Sequence, residues 1–160
     1  MLSGLHFLTH IGLSWLIANL MAGSRKDRSL VVLAGVLPDL DGVGILWSEH
    51  VYLAAHRAAG HSLLAAVLLV ALIWRIADAP LPTAALAAVS FHVHLLLDAV
   101  GTGGLPIRYL WPISDWGWTY SGRWTLASWQ NVVVMAATLL GVLWVVWRSR
   151  RRRRAGVPAT

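Results

Sequence analysis

Hydrophobic residues run along this chain in five long blocks, about Leu5–Ala22, Leu30–Trp47, Ser62–Ala77, Thr83–Val100 and Asn131–Trp147. The first, third, fourth and fifth are long enough, or nearly so, to cross a bilayer as helices. The second is interrupted by Pro38, Gly42 and Gly44 and carries Asp39 and Asp41. It reads as a broken helix, or as a short helix followed by re-entrant chain. Irregular backbone at membrane depth survives only where protein or water covers it. The pattern therefore predicts an all-α, polytopic membrane bundle of four to five transmembrane helices with one broken or re-entrant segment. There are no internal repeats.

Composition supports a membrane class. Hydrophobic residues are 58% of the 160 and charged residues 12%, where soluble chains carry roughly a quarter charged. The net charge of +6 is local. Arg148, Arg150, Arg151, Arg152, Arg153 and Arg154 account for it and leave a neutral body. Basic charge thus gives no reason to expect nucleic-acid binding. The division expected is a membrane-embedded domain over 1–147 and a basic tail over 148–160. The chain has no cysteine, so any metal site must use His, Asp or Glu. The first block lacks a basic leader and carries His6 and His10, so it reads as retained structure, not a cleaved signal.

Basic residues predict the orientation. Arg25, Lys26 and Arg28 follow the first block, Arg75 ends the third, and the Arg run follows the fifth. Placing all three in the cytoplasm of a cell whose inner membrane holds the chain puts the N-terminus outside and the C-terminus inside. Ser48–His61 and Gly101–Gln130 are then external. The second loop holds Trp111, Trp116, Trp118, Tyr120, Trp124 and Trp129. Such residues anchor at headgroup level, which is the first reading; the alternative is the lipid-facing mouth of a site.

The polar residues inside the blocks are out of place in hydrocarbon. A mid-membrane Asp costs roughly 2.5–3.5 kcal/mol, so each needs compensation. His94 and Asp98 are one helical turn apart and share a face. They form either a metal-ligand pair or a buried hydrogen bond; His92 points elsewhere. Under the predicted orientation His10, Asp39, Asp41, His56, His61, His94 and Asp98 fall at one depth on the outer side. A divalent cation would neutralise such carboxylates and accept neutral imidazoles. Pro38 can open a new helical segment with Asp39 at its positive end, or the same residues form a capped turn. Asp39 and Asp41 can both be ligands only on irregular backbone. His56 and His61 share no helical face and need a loop, with Ser62 as N-cap of the next helix. Arg57 suits an anion, as its planar fork matches phosphate, or it makes a structural ion pair.

These residues also carry a resemblance. Thr9-His10, Leu37-Pro38-Asp39-Leu40-Asp41, His56-Arg57 with His61-Ser62-Leu63, His94-Leu95-Leu96-Leu97-Asp98, Thr102-Gly103-Gly104 and Trp111-Pro112-Ile113-Ser114 occur in that order. The set, over roughly 1–115, resembles the YdjM-type family of bacterial inner-membrane proteins, described as metal-dependent hydrolases. Its His-x-x-x-Asp element is similar to that of zinc-dependent phospholipase C and the P1-type nucleases. The resemblance implies that His94 and Asp98 are ligands, Asp98 bridging two metals where two are bound, and that His10, Asp39 and His61 complete the shell. Where family members have Gly-x-Thr before the second histidine, this chain has Ala58-Ala59-Gly60, without a hydroxyl.

The function expected is a membrane-bound hydrolase using one or two divalent ions, zinc first. Its substrate would be a phosphoester or lipid-like molecule at the outer face, and its surroundings membrane lipid. Asp39 or Asp41 would serve as general base and Arg57 as anion holder. The alternative is a metal- or proton-binding transporter built on the same cluster.

Overall fold

The computed structural model describes residues 2–20, 23–101, 104 and 106–155. Among these it is all-helical: α1 (Leu2–Ala18), α2 (Arg25–Ala34), a 3₁₀ helix (Leu37–Leu46), α3 (Glu49–Ala55), α4 (Leu63–Ile76), α5 (Pro80–Gly101) and α6 (Trp129–Arg154). A single β-bridge, Ile107 with Trp118, ties the long loop before α6.

The burial pattern is inverted relative to a soluble core. His61, His94, Asp27, Ser90 and Thr83 are among the largest fully buried side chains, while Leu20, Leu46, Trp47 and Leu68 are exposed. Exposed apolar and buried polar side chains are what a hydrocarbon solvent selects. The apolar core is built on alanine. Ala66, Phe91, Leu95 and Ala99 form one cluster, and Ala34, Ile73 and Ala87 another.

The number of spans expected from sequence is too high. Among the described residues two helices are long and apolar enough to cross a membrane, α5 and α6 over Trp129–Arg152, and a third counts only if α2 and the 3₁₀ helix, bent by 54°, are one broken span. The reason is length. α4 has 14 residues, about 21 Å at helical rise, against a hydrocarbon core of roughly 30 Å. The apolar part of α1, Phe7–Ala18, is short as well. The second block is broken, but earlier than expected: α2 ends at Ala34 with Gly35 as its cap, and Pro38, Gly42 and Gly44 all lie within the 3₁₀ helix that follows.

Two boundaries moved. α5 starts at Pro80, before the expected Thr83, because proline in a first helical turn removes an N–H that would have no partner. α6 runs unbroken through the arginines to Arg154, so the basic segment is largely helix.

The helix ends sort into two levels. Asn131 Nδ2 donates to Gly101 O at 2.6 Å, so α6 begins where α5 finishes. At the other level Lys26 pairs with Asp78 at 2.9 Å. This hydrogen bond holds the exposed Asp78 carboxyl below its usual range. The basic residues of α2 thus meet the turn before α5. Asp27, buried on α2, accepts from Asp78 N at 2.8 Å and Ala79 N at 3.1 Å, closing the N-terminus of α5 from another element. Asp27→Ala is expected to lower stability by roughly 1.5–3 kcal/mol, the range for hydrogen bonds to a buried charge, read as a lower thermal midpoint in detergent. An unchanged midpoint would remove Asp27 from this role.

Candidate metal centre

Three segments, the 3₁₀ helix, the loop at 56–62 and α5, deliver side chains to one point. Ser24, Ser48 and Ser62 each cap the helix that follows them. The last of these caps ends the 56–62 loop and leaves His61 facing inward, fully buried. Gly60 makes that loop possible: a Cβ there would come within 2.5 Å of Pro38 O and 3.1 Å of Asp41 Oδ2. Arg57 turns the loop with φ of 65°, a left-handed conformation that costs a non-glycine residue energy and tends to mark functional segments. The loop is pinned from outside as well. Arg108 N donates to Arg57 O at 2.9 Å, and Leu63 N to Tyr109 O at 2.7 Å.

Asp39, His61, His94 and Asp98 offer ligand atoms that all lie within 4.8 Å of one another. His61 Nε2 is 3.3 Å from His94 Nε2 and 3.2 Å from Asp98 Oδ2. His94 Nε2 is 3.5 Å from Asp39 Oδ1 and 3.8 Å from Asp98 Oδ2. A tetrahedron with bonds of roughly 2.0–2.1 Å to zinc has edges of about 3.3–3.4 Å. These four separations, 3.2–3.8 Å, lie at or somewhat above that edge.

Both imidazoles are aimed by their other nitrogen. His94 Nδ1 donates to Gly35 O at 2.9 Å, and His61 Nδ1 to Asp41 Oδ2 at 2.9 Å. A carbonyl and a carboxylate only accept, so each Nδ1 carries a hydrogen and each Nε2 faces the cluster. This outer arrangement is the one that orients histidine ligands in metal sites.

The group offsets part of its own charge. Burial alone would depress the His61 imidazole. Hydrogen bonds to Asp41 and Asp98 override it and raise the pKa to about 9. A proton on Nε2 would compete with an ion for the same lone pair. Arg57, also buried, places Nε 3.5 Å from Asp98 Oδ2.

The seven ligand candidates therefore divide. His61, His94, Asp39 and Asp98 form the convergent group. His10 lies beside it, with Nε2 3.3 Å from Asp98 Oδ1 and its ring 4.0 Å from that of His94. Asp41 and His56 stand behind His61. His56 Nδ1 is 2.8 Å from Asp41 Oδ1, and its ring stacks on Tyr52 at 4.6 Å. The helical backbone of 37–46 turns the two aspartates apart, Asp39 to the cluster and Asp41 to its outer side. His92 bonds Tyr109 Oη at 2.9 Å, away from the centre. Thr102 and Gly103 lie outside the described residues.

Gly35 and Asp27 escaped sequence reasoning. Gly35 carries no functional group, and only its carbonyl acts. Asp27 sits in a charged run that reads as solvated surface.

The sequence matches the model of the family described as YdjM inner membrane protein over residues 5–159. No curated protein and no solved structure matches.

Proposed function

Because the chain belongs to the YdjM family of inner membrane proteins, we propose that its His/Asp cluster holds a divalent metal ion, zinc by choice of donors, and serves a membrane-bound hydrolase of phosphoester or lipid-like substrates. The observation that carries this reading is the convergence of one ligand atom from each of Asp39, His61, His94 and Asp98 to within 4.8 Å of one another, a spacing that one small divalent ion can bridge. Two imidazoles and two carboxylates are also a donor set that zinc accepts.

His61, His94, Asp39 and Asp98 would hold the ion. When bound, it supplies Lewis acidity toward a phosphoryl or acyl oxygen and brings the pKa of water toward roughly 7. Asp39 is 23% exposed where Asp98 is 4% exposed, so Asp39 is the carboxylate that solvent reaches and the one placed to accept a proton. Asp41 has both oxygens engaged, by His56, His61 and the Arg57 amide. Its part is to orient His61. Arg57 supplies the guanidinium charge that an anionic substrate needs.

A lipid-like substrate is supported by the surroundings. The 3₁₀ helix that carries Asp39 exposes Leu40, Val43, Ile45 and Leu46, and the loop after α5 exposes Ile113 and Trp116. An outer location, with the N-terminus outside and the C-terminus in the cytoplasm, is supported by the levels of the helix ends. Lys26 and Arg75 lie at one level and the cluster toward the other.

One observation favours the transporter alternative. Thr83 and Ser90 share the inner face of α5 with His94, and both hydroxyls are buried with no hydrogen-bond partner among the described residues. Ala87 and Ile73, both buried, pack between and beside them and interrupt a polar path.

Elemental analysis of the purified protein tests the metal. Near-stoichiometric zinc, with chelator-sensitive hydrolysis of a phosphodiester, is the expected result. Protein free of metal after purification and zinc dialysis would overturn it. Asp41→Asn is expected to weaken zinc binding about 10–100-fold, the usual effect of losing an outer partner of a ligand histidine. Undiminished affinity by competition titration would remove Asp41 from the orienting role.

A further inference from the structure

Residues 37–55, the 3₁₀ helix and α3, pack chiefly on each other. Gly44 lies so close to Val51 and the Tyr52 backbone that a Cβ would come within 3.1 Å of Val51 Cγ1 and 3.2 Å of Tyr52 N. Among the described residues α3 meets no other helix to a comparable extent. The outward side is apolar, with Val43, Ile45, Leu46 and Trp47 exposed. Two fixed points bound this hairpin. Gly35 is wedged between Ser14 and Ser90, and Arg57 O is held by Arg108 N.

Asp41 and Asp39 tie the hairpin down in different ways. Asp41 bonds His56, the Arg57 amide and His61, all in the loop that continues from the hairpin itself. Asp39 reaches across to α5. Its carboxylate accepts no hydrogen bond among the described residues. The hydrogen of the His94 ring is on Nδ1, donated to Gly35 O. The Nε2 that faces Asp39 Oδ1 at 3.5 Å therefore presents a lone pair. An Asp98 oxygen lies within 4.8 Å, and like charges at that range repel. Asp98 has His10, His61 and Arg57 beside it. Asp39 sits between an acceptor nitrogen and a like charge.

We propose that residues 37–55 form a flap latched by the divalent ion. This rests on the metal reading above. With the ion, Asp39 is drawn into the cluster and the hairpin closes on α5. Without it, Asp39 withdraws and the hairpin loosens from the bundle. A cation turns both unfavourable contacts of Asp39 into shared ligation. The other ligands depend on it less, since His61 and His94 are each held by an outer hydrogen bond. Metal occupancy and access to the cluster are then one equilibrium, because Asp39 is also the ligand that solvent reaches.

Hydrogen exchange read by mass spectrometry tests this, on the full-length protein in detergent, stripped with a chelator and then titrated with zinc. Amides of 43–52 are expected to exchange about tenfold slower or more with zinc, while those of 84–92 in α5 change by less than roughly twofold. Asp39→Asn, at zinc levels that fill its remaining three ligands, is expected to lose that protection. Spin labels at Leu46→Cys and Leu68→Cys, in a chain without native cysteine, give a second measurement with all four ligands intact. Their distance distribution is expected to narrow on adding zinc, and this measurement decides where Asp39→Asn takes up no zinc. Bound zinc with unchanged exchange in 43–52 and an unchanged distance distribution overturns the flap and leaves the metal reading standing. Equal slowing in 43–52 and 84–92 is global stabilisation by a ligand and overturns it too. So does full protection in zinc-loaded Asp39→Asn. A wild type that binds no zinc ends both readings.

Discussion

Asp98→Asn is expected to leave the protein without bound metal. The substitution keeps shape and removes charge, so packing is preserved. What it removes is central. Asp98 Oδ1 faces His10, and Oδ2 faces His61, His94 and Arg57. A neutral amide cannot balance a divalent ion, and its NH₂ would point a donor where an acceptor is needed. The buried Arg57 guanidinium would also lose its counter-charge, and breaking a buried ion pair costs roughly 3–5 kcal/mol. Two readouts follow: zinc per chain falls to background, and the thermal midpoint in detergent drops. Stoichiometric zinc in the variant would end the assignment of Asp98 as a ligand. A drop in midpoint with no metal in either protein would leave Asp98 as the centre of a structural network only.

Gly35→Ala is the second large effect. A Cβ at Gly35 would overlap Ser14 Oγ and Ser90 Oγ and come within 2.9 Å of Ser14 Cβ. Those atoms belong to α1 and α5, so the neighbours cannot swing aside as a long side chain would. Overpacking of this kind costs typically about 1–3 kcal/mol. The same residue presents the carbonyl that fixes His94, and shifting it should weaken zinc binding by about 10–100-fold. Stability and metal affinity are expected to fall together. Removing both hydroxyls, with Ser14→Ala and Ser90→Ala, should restore part of each. Full stability in Gly35→Ala alone would show that the three segments are less closely packed than the structure has them.

The parts of the centre that were legible in sequence are those where chemistry and spacing coincide. His94 and Asp98 share a face by helical period alone. Asp39 follows a proline inside an apolar block, where a carboxylate needs a reason. His61 precedes a serine cap. Other parts depended on which way a backbone turns. Asp39 and Asp41 separate because residues 37–46 are helical and any helix turns residues two apart onto different faces; the sequence left open whether that stretch was helix or irregular chain. His56 and Asp41 stand behind the cluster because Arg57 takes a left-handed conformation. Span number was misjudged for a physical reason: apolar composition continues past helix ends, so Leu5–Ala22 and Ser62–Ala77 read longer than the helices they contain. Asp27 was hidden because its partners, two backbone amides at 78 and 79, have no sequence signature.

The clasp of α2 onto the start of α5 has a consequence for how the chain enters the bilayer. The carboxylates at 27 and 39 emerge from the ribosome long before the amides at 78 and 79 or the imidazole at 94. Until the fifth helix arrives, the earlier half carries acidic groups whose partners do not yet exist. Biogenesis thus requires either a wait at the aqueous lip of the insertion machinery or a late, concerted entry of the second and fifth helices.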